Sequence, residues 1–127
     1  MIFGIGTDIV RVARMQQDLD RFGDRFAERI LTDKELEEFR AVRNRAHFLA
    51  RRFAAKEAAV KALGTGFSQG IHLREISVGH DALGKPLLEL TGRALEFARA
   101  QGIECAHISL SDETDHAVAF VTLETRT

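Results

Sequence analysis

The sequence predicts a single α+β domain, an antiparallel sheet packed with one long helix and several shorter ones. Three observations predict it. Residues 2 to 10 are apolar and β-rich, with two glycines. Residues from about Arg45 to Leu63 are dense in Ala, Leu, Lys and Glu and stop at Gly64, the composition and punctuation of a long helix. The alternating stretches from Glu104 to Leu110 and from His116 to Leu123 flank Asp112-Glu113-Thr114-Asp115, the pattern of an antiparallel hairpin. A chain of 127 residues with 45% hydrophobic content is sized for one core, and no repeat, linker or low-complexity tract divides it, so residues 1–127 read as one domain.

The elements follow in order. The first strand feeds a helix beginning near Val12, and Gly4 and Gly6 admit close backbone approach. On that helix Arg14, Arg21 and Arg25 recur at offsets of seven and four, with Met15, Leu19, Phe22 and Phe26 as an adjoining apolar stripe. Gly23 is placed to interrupt it. Thr32-Asp33-Lys34-Glu35 has capping-box spacing ahead of Leu36 and Phe39, a structural signature. After the long helix, Gly64, Gly66 and Gly70 make a loop before a strand near Glu75 to Gly79. Asp81 to Pro86 turns into a strand at 87 to 90, and Ala94, Leu95, Phe97 and Ala98 mark a helix ended by Gly102. In the final hairpin Cys105, His107, Ser109 and Ser111 share a face.

Composition excludes several classes. Eighteen basic against nineteen acidic residues give a net charge of -1, with no global field for nucleic acid. Cys105 is the only cysteine, so an intrachain disulfide and a cysteine-based zinc site are excluded, and a reducing cytoplasm fits. The sequence has neither signal-peptide composition nor a membrane-length apolar run, and is expected to be cytosolic. Gly4-Ile5-Gly6 is a lone GxG with Ile9 where the third glycine of a dinucleotide fingerprint would stand, and no Walker A sequence occurs.

The chemistry-bearing residues lie in two places. Phe53, Glu57, Val60, Lys61 and Gly64 share one side of the long helix, so ionic groups sit beside an apolar one. Asp8 offers a second carboxylate on the first strand. Two carboxylates are what magnesium commonly takes from a protein, leaving its other positions to water and substrate phosphates. Lys56 and Lys61, five residues apart, point roughly 140° away from one another and so have separate jobs. Structural alternatives stand beside these readings: Asp8 as a turn cap, Glu57 and Lys61 as an ordinary helix pair, Gly64-Thr65-Gly66 as a plain C-cap, His107 as a packing residue.

GIGTDIV at 4–10 and FLARRFAAKEAAVKALGTG at 48–66 resemble holo-acyl-carrier-protein synthase, the small type of 4′-phosphopantetheinyl transferase. The resemblance extends through RFAERILT at 25–32, Gly84-Lys85-Pro86 and His107-Ile108-Ser109-Leu110-Ser111. It implies the 4′-phosphopantetheinyl transferase fold. The implied reaction is transfer of 4′-phosphopantetheine from coenzyme A to a serine of apo acyl carrier protein, in fatty acid biosynthesis, with release of adenosine 3′,5′-bisphosphate. Asp8 and Glu57 would hold Mg2+ and act in catalysis with Lys61. Glu57, directly or through a water, is the candidate base. Coenzyme A contacts are expected from Arg52, Lys56, Lys61, Gly64, His107 and Ser109, although Lys56 could instead be simply solvated. Arg14, Arg21, Phe22, Arg25 and Phe26 would dock the acidic carrier protein.

A homotrimer with active sites between subunits is implied by the resemblance alone. Two positions depart from family patterns. Val10 stands where larger relatives carry the second acid of D-x-E, and Asp112 stands where the family often has histidine. Two rival functions use the same residues: a magnesium-dependent phosphohydrolase of coenzyme A or a nucleotide, and a non-enzymatic module binding an acidic helical partner.

Overall fold

The computed structural model describes residues 1–126. Among the described residues five strands and five α-helices follow one another in the order β1 (Ile2–Arg11), α1 (Val12–Phe22), α2 (Asp24–Ile30), α3 (Asp33–Ala41), α4 (Arg45–Leu63), β2 (Ile76–His80), β3 (Pro86–Leu90), α5 (Gly92–Ala100), β4 (Ile103–Asp112) and β5 (His116–Thr125). A short 3₁₀ turn, Leu73–Glu75, precedes β2. The strands make two antiparallel sheets where the sequence suggested one: β1-β5-β4, and a separate β2-β3 ribbon. The ribbon closes on itself because its turn is local, the Asp81 carboxylate accepting from the Leu83 and Lys85 amides at 2.9 Å each.

α4 lies across one face of the three-stranded sheet, and glycine and alanine set how closely. A Cβ on Gly4 would fall 2.0 Å from the Ala62 carbonyl oxygen, and one on Gly6 would fall 2.0 Å from that of Ala58. Helix and strand backbones therefore touch without intervening side chains, as the two glycines suggested. Ala50, Ala54, Ala55, Ala58, Ala59 and Ala62 are all buried, so α4 is enclosed on most sides. The core around it is filled by Met15, Leu31, Phe39, Leu49, Leu63, Ile76 and Leu123.

The predicted capping box at the start of α3 is present: the Glu35 amide donates to Thr32 Oγ1 at 3.3 Å and the Thr32 amide to Glu35 Oε1 at 2.9 Å. Its glutamate does more than cap. The Glu35 carboxylate is completely buried, and besides Thr32 it accepts from Lys56 Nζ at 2.7 Å and from the Val78 amide at 3.0 Å. Lys56 also donates to the carbonyls of Ile76 at 2.6 Å and Leu73 at 3.2 Å, so all three ammonium protons are engaged.

This corrects two expectations. Lys56 neither is solvated nor reaches a coenzyme A phosphate, because it is 0% exposed and tied to α3 and β2. Arg52, on the same helix, is buried too: its guanidinium lies over the Phe48 ring, 3.8 Å from Glu35 and 3.6 Å from Glu38, and is directed into the protein rather than toward a ligand. Burial lowers the pKa of both cations, and Glu35 opposes that shift by favouring their charged forms.

Candidate active site

β1 turns Gly6, Asp8 and Val10 toward α4 and leaves Ile5, Thr7 and Ile9 on the outer face, the alternation of a strand with one side covered. Asp8 therefore meets the stripe of α4 that carries Glu57 and Lys61. Lys61 Nζ donates to Asp8 Oδ1 at 3.0 Å and to the Thr7 carbonyl at 3.0 Å. The ammonium is thus engaged with the strand, displacing the reading of Glu57 and Lys61 as an ordinary helix pair. Glu57 lies one turn earlier, and its carboxyl pKa is raised, first by burial and then by the nearby Asp8 charge. Lys61 and Arg14 oppose that rise.

Arg14 reaches this cluster from α1 with its guanidinium 5.5 Å from the centre of the Phe53 ring. Two carboxylates and two cations from three elements thus lie together. No group of three or more His, Cys, Asp or Glu side chains able to hold a metal occurs among the described residues. Any metal here would rest on the two carboxylates and on ligands from outside the chain.

The loop after α4 is built differently from an anion cradle. Gly64 adopts the left-handed conformation with φ 81°, and the amides of Gly64, Thr65 and Gly66 all point back to the Val60 carbonyl at 3.1 to 3.3 Å. Those amides complete a helix cap. What Gly64 offers a ligand is an open flank, since a Cβ there would meet nothing within 4 Å.

The predicted arginine face divides at Gly23, whose φ of 67° ends α1 and starts α2. Phe22 and Phe26 stack across the break with centroids 6.4 Å apart, and Arg21 lies over Phe22 at 5.1 Å. Arg21, Phe22, Arg25 and Phe26 line a shallow cavity of about 440 Å³ together with Arg29. Arg29 was missed, although it stands one turn beyond Arg25 and that spacing could have found it. Arg14, on the same helix as Arg21, belongs to the carboxylate cluster instead.

His107 and Ser109 are on β4, on the outer face of the sheet with Ile5 and Phe120 and away from α4. Within one protomer the sheet therefore separates them from Asp8 and Glu57. His107 lies 3.5 Å from Glu124, and Asp112 accepts from Arg51 at 3.2 Å. A larger cavity of about 840 Å³ lies between the start of α1, residues 43–47 and the β4–β5 turn, and none of Asp8, Glu57 and Lys61 lines it.

A family-level match to the 4′-phosphopantetheinyl transferase superfamily spans residues 4–121. The chain belongs to that superfamily. The transferase is 54% identical over 126 residues to the holo-[acyl-carrier-protein] synthase of Vibrio cholerae, covering 99% of this chain and 100% of that protein. Its fold superimposes on the crystal structure of the Neisseria meningitidis holo-[acyl-carrier-protein] synthase with a TM-score of 0.93, at 46% identity, over 98% of this chain and 100% of the other. The Bacillus anthracis synthase, solved in complex with CoA (3′,5′-ADP), matches at TM-score 0.83 and 37% identity over 98% of each chain. The resemblance drawn from GIGTDIV and FAAKEAAVK, and the α+β fold it implied, are borne out.

Proposed function

We propose that this transferase moves the 4′-phosphopantetheine arm of coenzyme A onto a serine hydroxyl of an apo acyl carrier protein, releasing adenosine 3′,5′-bisphosphate. The observation that carries the reading is the convergence of Asp8 and Glu57 beside Lys61 at the junction of β1 and α4. Two carboxylates from different elements lie close enough for the Asp8 charge to add to the burial that raises the Glu57 pKa, and hard oxygen donors in that number suit magnesium. Asp8 and Glu57 would hold the ion, which when bound supplies charge stabilisation at the coenzyme A pyrophosphate.

The chain's own groups do the rest. Lys61, at the exposed edge of the cluster, offsets charge on the departing phosphate. Glu57, on the same stripe of α4 as Lys61, is the candidate to take the serine proton directly or through a water. Arg21, Arg25 and Arg29 supply charge, and Phe22 and Phe26 apolar anchors, for an acidic amphipathic helix of the carrier protein.

The chain works as a cytoplasmic homotrimer in fatty acid biosynthesis. Supporting self-association, Ile5, Ile9, Val118 and Phe120 are all exposed on the outer sheet face, a patch that water would not favour. His107 and Ser109 are on the same face, so a neighbouring copy is what would bring them to coenzyme A. Among the described residues, no helix is long and apolar enough to cross a membrane.

The test is intact-protein mass spectrometry of an apo acyl carrier protein incubated with the enzyme, coenzyme A and magnesium, with and without chelator. A gain of one phosphopantetheine that the chelator abolishes is expected. Coenzyme A consumed without that gain would mean a phosphohydrolase. Carrier protein bound with coenzyme A intact and no covalent product would mean an interaction module.

A further inference from the structure

We infer that the Lys61 ammonium is the resident counter-ion of Asp8 in the metal-free enzyme, and that a divalent cation competes with it for that carboxylate and releases Lys61 when it binds. The inference rests on the reading of Asp8 and Glu57 as metal ligands, and goes beyond it by giving Lys61 two successive positions.

The geometry distinguishes the group that moves from the group that stays. Asp8 is fixed on a strand paired along its length with β5, and its side chain keeps only 17% of its accessible surface. Lys61 sits on the outer stripe of α4 with its side chain 51% exposed, and its partners are Asp8 Oδ1 and the Thr7 carbonyl, both on β1. Its four-carbon stem can swing into solvent without disturbing packing, whereas Asp8 cannot leave. A second cation on the same oxygen would stand beside the ammonium, and like charges at that separation repel. Loading the site therefore drives Lys61 off Asp8, and a lysine at this edge of the cluster is then free for a phosphate oxygen. Arg14 remains over Phe53 and near Glu57, so that flank keeps a counter-charge throughout.

The arrangement has two consequences. Before loading, Lys61 screens the repulsion between Asp8 and Glu57. After loading, metal occupancy and release of the phosphate-binding lysine become one event.

The experiment measures Mn2+ binding alone, without coenzyme A, by electron paramagnetic resonance for the wild type, Lys61→Met and Glu57→Gln. Competition predicts that Lys61→Met binds Mn2+ about threefold to fivefold more tightly than the wild type, the scale of a partly exposed ion pair. Unchanged or weaker binding by Lys61→Met, with binding lost in Glu57→Gln, would overturn the competition and leave the metal reading standing. Equal binding by the wild type and Glu57→Gln would overturn the metal reading itself. A second readout is the side-chain ammonium resonance of Lys61 in 15N-lysine enzyme, assigned by its loss in Lys61→Met. It should shift on adding Mg2+, and a resonance that does not respond would show that the ammonium never leaves Asp8. Circular dichroism of Lys61→Met confirms folding, which its exposed position makes straightforward.

Discussion

Lys56 Nζ lies 2.7 Å from Glu35 Oε1 with both side chains sealed from solvent, although the next residue in the chain, Glu57, faces the cluster of Asp8, Lys61 and Arg14. One helix thus uses consecutive charged residues for opposite purposes, about 100° apart around its axis. Removing one member of the buried pair strands the other. Lys56→Met should cost about 3 to 5 kcal/mol in denaturant unfolding. Adding Glu35→Gln, which leaves a neutral acceptor for the Val78 amide, should recover part of that loss. A Lys56→Met enzyme of wild-type stability would refute the pair's role.

Gly6→Ala should be among the most damaging single changes, because the new methyl would meet the Ala58 carbonyl at 2.0 Å and backbone cannot rotate aside. A loss of about 3 kcal/mol, or failure to accumulate folded protein, is expected from a thermal melt. Gly84→Ala is the control: its φ of 88° carries strain, but a Cβ there meets nothing within 4 Å, so the cost should stay near 1 kcal/mol.

Glu57→Gln should reduce turnover by about 10²-fold or more, since it removes a proposed metal ligand and the candidate base together. Its effect on stability has a definite sign. The Glu57 carboxyl titrates above its ordinary 4.5 in the folded protein, so the fold holds that proton more tightly than the unfolded chain. Its contribution is most favourable below 4.5 and declines as pH rises through the folded value. Metal-free Glu57→Gln should therefore melt higher than the wild type at neutral pH, and the advantage should vanish in acid. A lower melting temperature at neutral pH would contradict the burial and Asp8 repulsion that raise this pKa.

Arg25→Glu should raise the KM for acyl carrier protein about tenfold and leave that for coenzyme A unchanged, since Arg25 lines the arginine-rimmed cavity of α1 and α2 and not the carboxylate cluster. Arg14→Gln should behave differently and lower kcat as well, because Arg14 helps set the Glu57 charge. Steady-state kinetics against each substrate separates the two. Identical profiles would mean that the arginines form one face.

Much of this was legible in advance. The limits of α4 follow from a run of helix formers between Asn44 and Gly64, and the Thr32–Glu35 capping box from its spacing. The closeness of β1 to α4 was implied by Gly4 and Gly6. The buried role of Lys56 was not legible, because alanine surrounds α4 and leaves no apolar stripe to say which lysine faces inward. Nor could strand alternation say that His107 and Ser109 lie across the sheet from Asp8, since a period of two groups residues on a face without saying which face is covered.

The sequence by itself determined the span of α4, the capping box at Thr32, the family, and the two carboxylates and lysine of the candidate site. Those depend on chemistry acting within a turn or a strand, or on residues that read as a motif. Only the tertiary structure decided that Lys56 is a core ion, that Lys61 is tied to Asp8, and that Arg14 belongs with Glu57 rather than with Arg21. Charge and spacing leave each of those cations free to be solvated, and the neighbours that remove water from one and supply a carboxylate to another come from distant parts of the chain.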